Sequence, residues 1–324
     1  MSVIDSHTDR TAQANSFRSI LIYGMGMMGA SLALALRAHG DRAIRITGVV
    51  RTEHSAAFLR AHHQADQVLV CPDESDIAKL DLHSYDLLVL GTPVQSVVRL
   101  AALLPRDFAG VITDMSSTRR EVQAAFAKRP DLKFVGSHPM CGSENRGPSA
   151  ARPELFLNRL CILTPLAEQD DDGDDRAAVE RTIQVAAFWA SLGMRTFVLS
   201  GPRHDEVLAY LSHGPHLLSG LLALWAHNAP VRAAIAGAPM PITGGGFKDM
   251  ARIAGSNPEM WTDILTSNRD FLGASLREFQ AQLAELIASV EHASPEWWQE
   301  WFERARDARN VLCGYPPETD RKKS

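Results

Sequence analysis

The chain has 324 residues, of which 45% are hydrophobic and 22% charged, and its formal net charge is −5. Because a single hydrophobic core rarely grows beyond about 250–300 residues, this length predicts two domains. The acidic balance and the absence of a lysine-rich stretch argue against a nucleic-acid-binding face. We therefore expect the partner to be a small molecule or a second copy of the chain.

The cysteines indicate a reducing environment. Four cysteines are spread singly along the chain, which is poor material for a disulfide framework or a zinc site. Residues 1–17 lack the apolar run of a signal peptide, and no segment approaches the roughly 20 consecutive apolar residues that cross a bilayer. We therefore expect a cytoplasmic protein that binds no membrane, with flexible tails at residues 1–16 and 316–324.

The first half of the chain alternates β-rich runs with helical patterns, as βαβ units with a parallel sheet do. The apolar runs predict strands at 19–23, 44–50, 68–70, 86–90, 111–113, 134–136, 160–164 and 194–199. An acidic stretch at 168–176 is predicted to be a solvated loop. The pattern predicts an α/β dinucleotide-binding domain over residues 17–200.

After residue 200 the pattern becomes helical and predicts no further strand. Asn257, Pro258 and Glu259 form a helix start signal, and apolar positions recur at helical spacing from there to about residue 289. Another helix is predicted from about residue 294, and it carries Trp297, Trp298, Trp301 and Phe302. Such apolar surface is typical of a core but also fits a dimer interface. We predict an all-helical domain over residues 201–315.

A glycine-rich turn predicts a dinucleotide site. Residues 24–29 read Gly-Met-Gly-Met-Met-Gly, after the first strand and before a strongly helix-forming segment. In this context the first glycine makes the turn, the second admits the pyrophosphate, and the third packs helix against strand. The helix N-terminus stabilises the phosphate charge. The predicted cofactor-binding residues are Gly24, Gly26, Met27, Met28, Gly29 and, after the fourth strand, Thr92 and Pro93.

The end of the second strand bears on the choice of cofactor. NAD sites usually place an Asp or Glu there to bind the ribose 2′-hydroxyl. This chain has Arg51 and Thr52 instead, with no acid before Glu53. Because a guanidinium can pair with a 2′-phosphate, we expect NADP in preference to NAD. An Arg51 stacked on the adenine would tolerate either cofactor.

Polar residues follow the strands at the carboxyl edge of the predicted sheet, where ligands bind in open α/β folds. Residues 114–119 follow the fifth strand, and residues 137–144 follow the sixth. His138 precedes a proline and is well placed to act on a substrate that lies over the nicotinamide. Its ordinary pKa of about 6.5 suits proton acceptance. The alternative is a structural histidine that satisfies a loop carbonyl.

The string Gly-Ser-His-Pro-Met-Cys-Gly at 136–142 resembles a motif of the prephenate/arogenate dehydrogenase family. Motifs of the second half agree with that family in order: His-Asp at 204–205, Ser-His-Gly-Pro-His at 212–216, and the segments 244–254 and 257–261. The resemblance covers roughly residues 20–270. It implies a modified Rossmann domain followed by an all-helical domain that forms a homodimer.

The resemblance also implies a reaction and roles for residues. The family oxidises prephenate to 4-hydroxyphenylpyruvate with loss of CO2 and hydride transfer to NAD or NADP, in tyrosine biosynthesis. By the match, His138 accepts a hydrogen bond from the substrate 4-hydroxyl, Ser117 orients the reacting groups, and Arg252 binds a carboxylate. Further candidate pocket residues are Ser143, Glu144 and His216.

Several alternatives stay open. An arogenate dehydrogenase, or a 4-amino-4-deoxyprephenate dehydrogenase of secondary metabolism, would use the same chemistry. A non-catalytic NADP-sensing protein could share the fold, but it would not need His138, Ser117 and Arg252 together. A β-hydroxyacid dehydrogenase would need a lysine followed four residues later by asparagine, whereas Lys248 is followed at that spacing by Arg252.

Two departures from the family pattern concern the substrate more than the fold. Gly214 stands where leucine is usual, and Thr118-Arg119 where Val-Lys is common. His213 and His216 have no third ligand at a suitable spacing, so we expect no metal. We also expect no regulatory or mutase domain after Ser324, so that any feedback control would act at the active site.

Overall fold

The computed structural model describes residues 16–39, 43–142, 145–166 and 176–315. Within them, the strands are β1 Ser19–Tyr23, β2 Arg45–Val50, β3 Gln67–Val70, β4 Leu87–Leu90, β5 Val111–Asp114, β6 Lys133–Pro139, β7 Leu160–Pro165 and β8 Arg195–Val198. Each predicted strand is present. Most residues of the predicted tails and of the acidic loop lie outside the described residues, as do Ser143 and Glu144.

The helices follow the strand–helix alternation and then dominate the second half of the chain. They are α1 Met27–His39, α2 Glu53–Ala61, α3 Val94–Leu103, α4 Arg120–Ala127, α5 Arg176–Ser191, α6 Gly201–Leu208, α7 Gly214–Asn228, α8 Val231–Ala234, α9 Gly245–Ala251, α10 Pro258–Ser267, α11 Arg269–Val290 and α12 Pro295–Cys313. Short 3-10 turns and one π-helical turn, Ala209–His213, complete the described segments. The fold is therefore a Rossmann-like sheet followed by a helical region, as predicted.

The strands form one sheet in the order β3-β2-β1-β4-β5-β6-β7-β8. Neighbouring strands are parallel, except for the antiparallel pair β6 and β7. The strand order reverses between β1 and β4, and such a switch point opens a crevice beyond the carboxyl ends of the strands. The topology therefore places the glycine turn after β1 at the usual position of a dinucleotide.

Strand β6 is longer than predicted. The apolar run predicts an end at Gly136, whereas the strand continues to Pro139, with His138 opposite Ile162 of β7. This antiparallel pairing holds residues whose own sequence is not strand-like. His138 therefore lies on the strand itself rather than on the loop after it.

Both faces of the sheet are covered. Ile20 and Ile22 of β1 join one buried cluster with Trp189 of α5, while Leu21 joins a second cluster with Phe126 of α4. Alternate residues of a strand face opposite sides, so a sheet covered on both sides reads as a continuous apolar run. This is why the strands of this region could be predicted from the sequence.

The predicted helix between residues 258 and 289 is divided in the structure. Asn268 separates α10 from α11, and its side-chain amide donates to the carbonyl of Asp205 at 2.7 Å. Apolar periodicity continues across the break and does not reveal it. The break follows from a contact with a residue far away in the sequence.

One helical stretch, Gly201–Asn228, is long and apolar enough to cross a membrane by length and composition. The stretch is not a run of about 20 consecutive apolar residues, since Arg203, Asp205 and Glu206 lie near its start. Three polar side chains of the stretch, those of His204, Asp205 and His213, are buried. His204 is hydrogen bonded to Asp205, and His213 to Asn268. Length and composition do not distinguish a spanning helix from a helix packed within a protein.

The chain divides into two compact units at Leu272. The first unit contains the sheet, the helices up to α10 and the first turn of α11. The second contains the rest of α11 and α12, where Trp298 lies against the rings of Trp297, Trp301 and Phe302. The domain boundary near residue 200 separates strands from helices and stays a prediction.

Candidate active site

The glycine turn between β1 and α1 has three differently constrained positions. Gly24 has a φ of +103°, and a Cβ there would lie 2.8 Å from the backbone of Gly91. A Cβ at Gly29 would lie 2.3 Å from the carbonyl oxygen of Gly24, whereas one at Gly26 would meet nothing within 4 Å. The fold itself thus requires the first and third glycines. The second leaves space before the N-terminus of α1, where a pyrophosphate is favoured.

Two buried hydroxyl groups fit contacts with a bound dinucleotide. Thr92 Oγ1, after β4, and Ser116 Oγ, after β5, have no hydrogen-bond partner among the described residues. Buried polar groups are normally hydrogen bonded, so these two atoms have capacity for a ligand at the carboxyl edge of the sheet. Thr92 was predicted for this role. Ser116 was missed, and its only signal in the sequence is its place beside Ser117.

The end of β2 presents a cation and a helix N-terminus. Arg51 is exposed, and Thr52 caps α2 by accepting a hydrogen bond from the Ser55 amide at 3.2 Å. The first acid after β2, Glu53, forms an ion pair with Arg60. The carboxylate nearest to the strand end is therefore already engaged.

His138 lies at the end of β6 against His204 of α6. Its Nδ1 is 2.8 Å from Nε2 of His204, whose Nδ1 is 2.9 Å from Oδ1 of Asp205. Burial lowers the pKa of His138 well below 6.5, and the neighbouring His204 and Arg119 lower it further. His138 is therefore a neutral base at physiological pH.

A buried ion pair fixes the strand that carries His138. Arg119 Nη1 donates to Asp114 Oδ1 at 3.0 Å and to the carbonyl of Ser137 at 2.7 Å. The same carboxylate oxygen accepts from the Ser137 amide at 3.0 Å. A buried charge pair is tolerated when such additional hydrogen bonds satisfy it. The pair thus joins the end of β5 to β6 one residue before His138.

The structure accounts for the unusual Thr118-Arg119 pair. The planar guanidinium of Arg119 has several donors in a fixed fork and reaches three acceptor groups at once: the Asp114 carboxylate, the Ser137 carbonyl and, at 3.2 Å, the Thr118 carbonyl. The hydroxyl of Thr118 is hydrogen bonded to that of Ser267 at 2.8 Å. A valine at position 118 would lose this bond between the sheet edge and α10.

Asp205 is held as a carboxylate. It accepts hydrogen bonds from the backbone amides of Arg119 at 2.8 Å and Arg120 at 3.0 Å, where α4 begins. Burial raises the pKa of Asp205, but the hydrogen bonds from His204 and these amides outweigh it, so the net shift is downward. The N-terminus of a helix also favours the negative charge.

Arg252 and His216 lie in one region of the helical half. Burial lowers the pKa of His216, its hydrogen bond to Ser212 opposes this, and the charge of Arg252 lowers it further. The His216 ring stacks on Trp261 with 3.6 Å between ring centroids. An exposed guanidinium beside an aromatic stack suits an anionic ring compound. The sequence indicates Trp261 as an apolar helix position and as the end of the family motif 257–261, with no link to His216.

The other predicted site residues are placed as follows. Ser117 is half-buried in the loop between β5 and α4, at the same sheet edge as His138. His213 lies within electrostatic range of both His138 and His216. Among the residues that the structure describes, no group of three or more side chains could hold a metal ion.

A glycine turn at the switch point of the sheet, with a neutral histidine three strands further along the same sheet, defines a Rossmann-type oxidoreductase that uses a nicotinamide dinucleotide. The comparisons with known proteins narrow this class. Residues 32–196 match the nucleotide-binding domain of prephenate dehydrogenase, and residues 200–304 match its dimerization domain. The chain belongs to the prephenate dehydrogenase family.

Individual relatives are similar to this protein along most of its length. It is 29% identical to cyclohexadienyl dehydrogenase of Zymomonas mobilis, covering 91% of this chain and 96% of that one. It is 30% identical to prephenate dehydrogenase of Bacillus subtilis, covering 91% and 76%. A crystal structure of A. aeolicus prephenate dehydrogenase with hydroxyphenyl propionate and NAD+ superposes with a TM-score of 0.76 at 26% identity, covering 92% and 99%. The family and the fold predicted from the sequence are confirmed.

Proposed function

We propose that the chain catalyses the oxidative decarboxylation of prephenate to 4-hydroxyphenylpyruvate in tyrosine biosynthesis, with NADP or NAD as hydride acceptor. The observation that carries this proposal is the neutral His138 at the same carboxyl edge of the sheet as the glycine turn, in a chain of this family. A bound nicotinamide supplies the site that accepts the hydride. The residues of the chain must bind the acid, orient it and take up one proton.

The roles of the residues follow from their chemistry. His138 takes the proton of the ring hydroxyl while the hydride leaves the same carbon, so that a carbonyl develops there. Loss of CO2 then supplies the electron pair that aromatises the ring and turns this carbonyl into a phenolate, which takes the proton back from His138. Ser117 orients the substrate at this edge. Arg252 binds a carboxylate, with His216 beside it. Ser143 and Glu144 are proposed as further pocket residues on sequence grounds alone.

The proposed cofactor is NADP in preference to NAD. Arg51 is exposed at the end of β2, and the N-terminus of α2 follows at once. Both favour a 2′-phosphate, and the first acid, Glu53, is paired with Arg60. Among the described residues, the first carboxylate after β2 is thus already engaged by a cation.

The proposed assembly is a cytoplasmic homodimer formed by the helical region, residues 201–315, with the dinucleotide in residues 17–200. Helix α7 exposes Leu221, Leu224 and Trp225, at 61%, 61% and 68% of their surfaces. An apolar face of this size on one helix is typical of an interface. It lies within the segment that matches the family's dimerization domain.

The experiment that tests the function is a matrix of substrates and cofactors with the purified chain. Prephenate, arogenate and 4-amino-4-deoxyprephenate are each combined with NAD and with NADP, and reduced nicotinamide is measured. We expect the highest kcat/KM for prephenate with NADP. A preference for either amino compound would overturn the substrate, and no reduction with any of the three would overturn the function.

A further inference from the structure

Three ionisable groups form a hydrogen-bonded line that ends at the proposed base. His138 Nδ1 lies 2.8 Å from His204 Nε2, and His204 Nδ1 lies 2.9 Å from Asp205 Oδ1. The side chains of His204 and Asp205 are fully buried. Sequence analysis found His204 and Asp205 only as a pair of neighbours in a motif, with no link to His138.

The carboxylate at one end determines where the protons are. Asp205 is ionised and only accepts hydrogen bonds, so His204 carries its proton on Nδ1. Burial lowers the pKa of His204, and a neutral ring with a proton on Nδ1 has a lone pair on Nε2. His138 must then donate from its own Nδ1. Its Nε2 is left without a proton and can accept one.

From this geometry we propose that His204 and Asp205 are positioning residues that hold His138 in the tautomer able to accept the substrate proton. The inference rests on the proposed function, in which the hydroxyl O–H bond breaks as a bond to Nε2 of His138 forms. The electron pair of the O–H bond stays on oxygen and forms the carbonyl as the hydride leaves. His138 becomes a cation, and the charge of Asp205, transmitted through His204, stabilises it.

The line is anchored from both sides. The amides of Arg119 and Arg120 hold the Asp205 carboxylate, and the side chain of Asn268 holds its backbone carbonyl at 2.7 Å. Rigid support of this kind keeps a base within the small tolerance that proton transfer requires. The tautomer of His138 is thus determined by contacts of α6 with the start of α4 and with Asn268, between α10 and α11.

The substitutions that test this proposal are His204→Phe and Asp205→Asn, with Glu206→Gln as matched control. Phe fills the space of the ring without hydrogen bonds, and Asn removes the charge. The control variant Glu206→Gln removes one negative charge from the next residue of the helix. In the wild type, Glu206 forms a surface ion pair with Arg203. We expect kcat to fall about 10- to 100-fold in the first two variants, with KM and dinucleotide Kd unchanged. The control retains wild-type kcat.

The pH profile separates a positioning role from a structural one. The groups that act on His138 are His204, Arg119 and His213, and Asp205 stabilises its charged form through His204. Loss of that carboxylate makes His138 a weaker base, so the acid limb of kcat/KM moves to lower pH in Asp205→Asn while the plateau falls. His204→Gln, which can offer an amide oxygen to Nδ1 of His138, should recover part of kcat.

A spectroscopic measurement keeps the test independent of turnover. Nitrogen-15 NMR of labelled histidine should show the Nδ1 of His138 protonated in the wild type and this preference lost in His204→Phe. If Asp205→Asn fails to fold, the kcat of His204→Phe and the NMR spectra test the proposal without it. Unchanged kcat and pH profile in an active enzyme, or a wild-type His138 protonated on Nε2, would overturn the inference. Absence of prephenate turnover in the wild type would instead overturn the proposed function and leave the NMR result valid.

Discussion

The sheet and the helical region cover their apolar side chains to different extents. In the sheet, all residues of β1 and β4 are buried, and the buried charges of Asp114 and Arg119 are paired at its carboxyl edge. In the helical region, Trp225 and Met240 expose 68% and 76% of their surfaces. The sheet therefore completes its own core and positions chemistry rigidly, whereas the helical region needs a covering surface.

The largest expected effect tests the chemistry of the sheet edge. His138→Asn should lower kcat by about 10²- to 10⁴-fold, because the substrate proton loses its acceptor. Dinucleotide Kd should be unchanged, since the glycine turn lies on another strand. In the wild type, burial lowers the pKa of His138, so the neutral form persists below pH 6.5 and the acid limb of kcat/KM should lie there. A variant as active as the wild type would remove His138 from the mechanism.

The second prediction tests the covering surface of the helical region. Trp225→Glu should weaken self-association about 100-fold, because a symmetric interface places the charge at both copies. Sedimentation velocity over a concentration series measures it. The matched control is Phe197→Glu on β8, where the side chain is 54% exposed in the sheet region, and it should leave association unchanged. Equal effects of the two variants would contradict the contrast between the regions.

The third prediction concerns cofactor choice at the end of β2. Arg51→Ser should raise KM for NADP about 10- to 100-fold, as expected for loss of a charged hydrogen bond to phosphate. KM for NAD should change little and serves as the internal control. A similar change for both cofactors would mean that Arg51 stacks on the adenine.

The fourth prediction separates two glycines of one turn. Gly29→Ala places a Cβ 2.3 Å from a carbonyl oxygen and should cost about 1–3 kcal/mol of unfolding free energy. Gly26→Ala meets nothing within 4 Å, so its stability should be that of the wild type while its dinucleotide Kd rises. Thermal unfolding and a dinucleotide titration of both variants check this. Unimpaired dinucleotide binding by Gly26→Ala would show that the pyrophosphate does not bind at this turn.

The smallest expected effect lies where the sheet edge meets α11. Hydrogen bonds from Arg120 lower the pKa of Asp270 from 3.8 to about 2. A pKa lowered by folding stabilises the protein above the unfolded value, and this contribution is lost as the pH falls from about 4 to about 2. Because Asp270 is 58% exposed, Asp270→Asn should cost less than about 1 kcal/mol at neutral pH. Urea unfolding at neutral pH and near pH 3 should show this difference shrinking with acid.

The strands and the glycine turn could be predicted because their causes are local. A strand buried on both faces must be apolar at successive positions, and a turn with a φ of +103° at Gly24 requires glycine. His138 could be predicted as a candidate base from its place after an apolar run. Its place on β6 could not, because the pairing with β7 that extends the strand joins separate segments.

The amino-acid sequence by itself determined the order of strands and helices, the dinucleotide turn and the family. The tertiary structure alone decided the environment of His138, since His204 lies 66 residues further along the chain. It also decided the break at Asn268 and the exposure of Trp225. The physical reason is one of range: periodicity and turn chemistry act between neighbours, whereas tautomers, buried charge pairs and exposed faces depend on residues that only folding brings together.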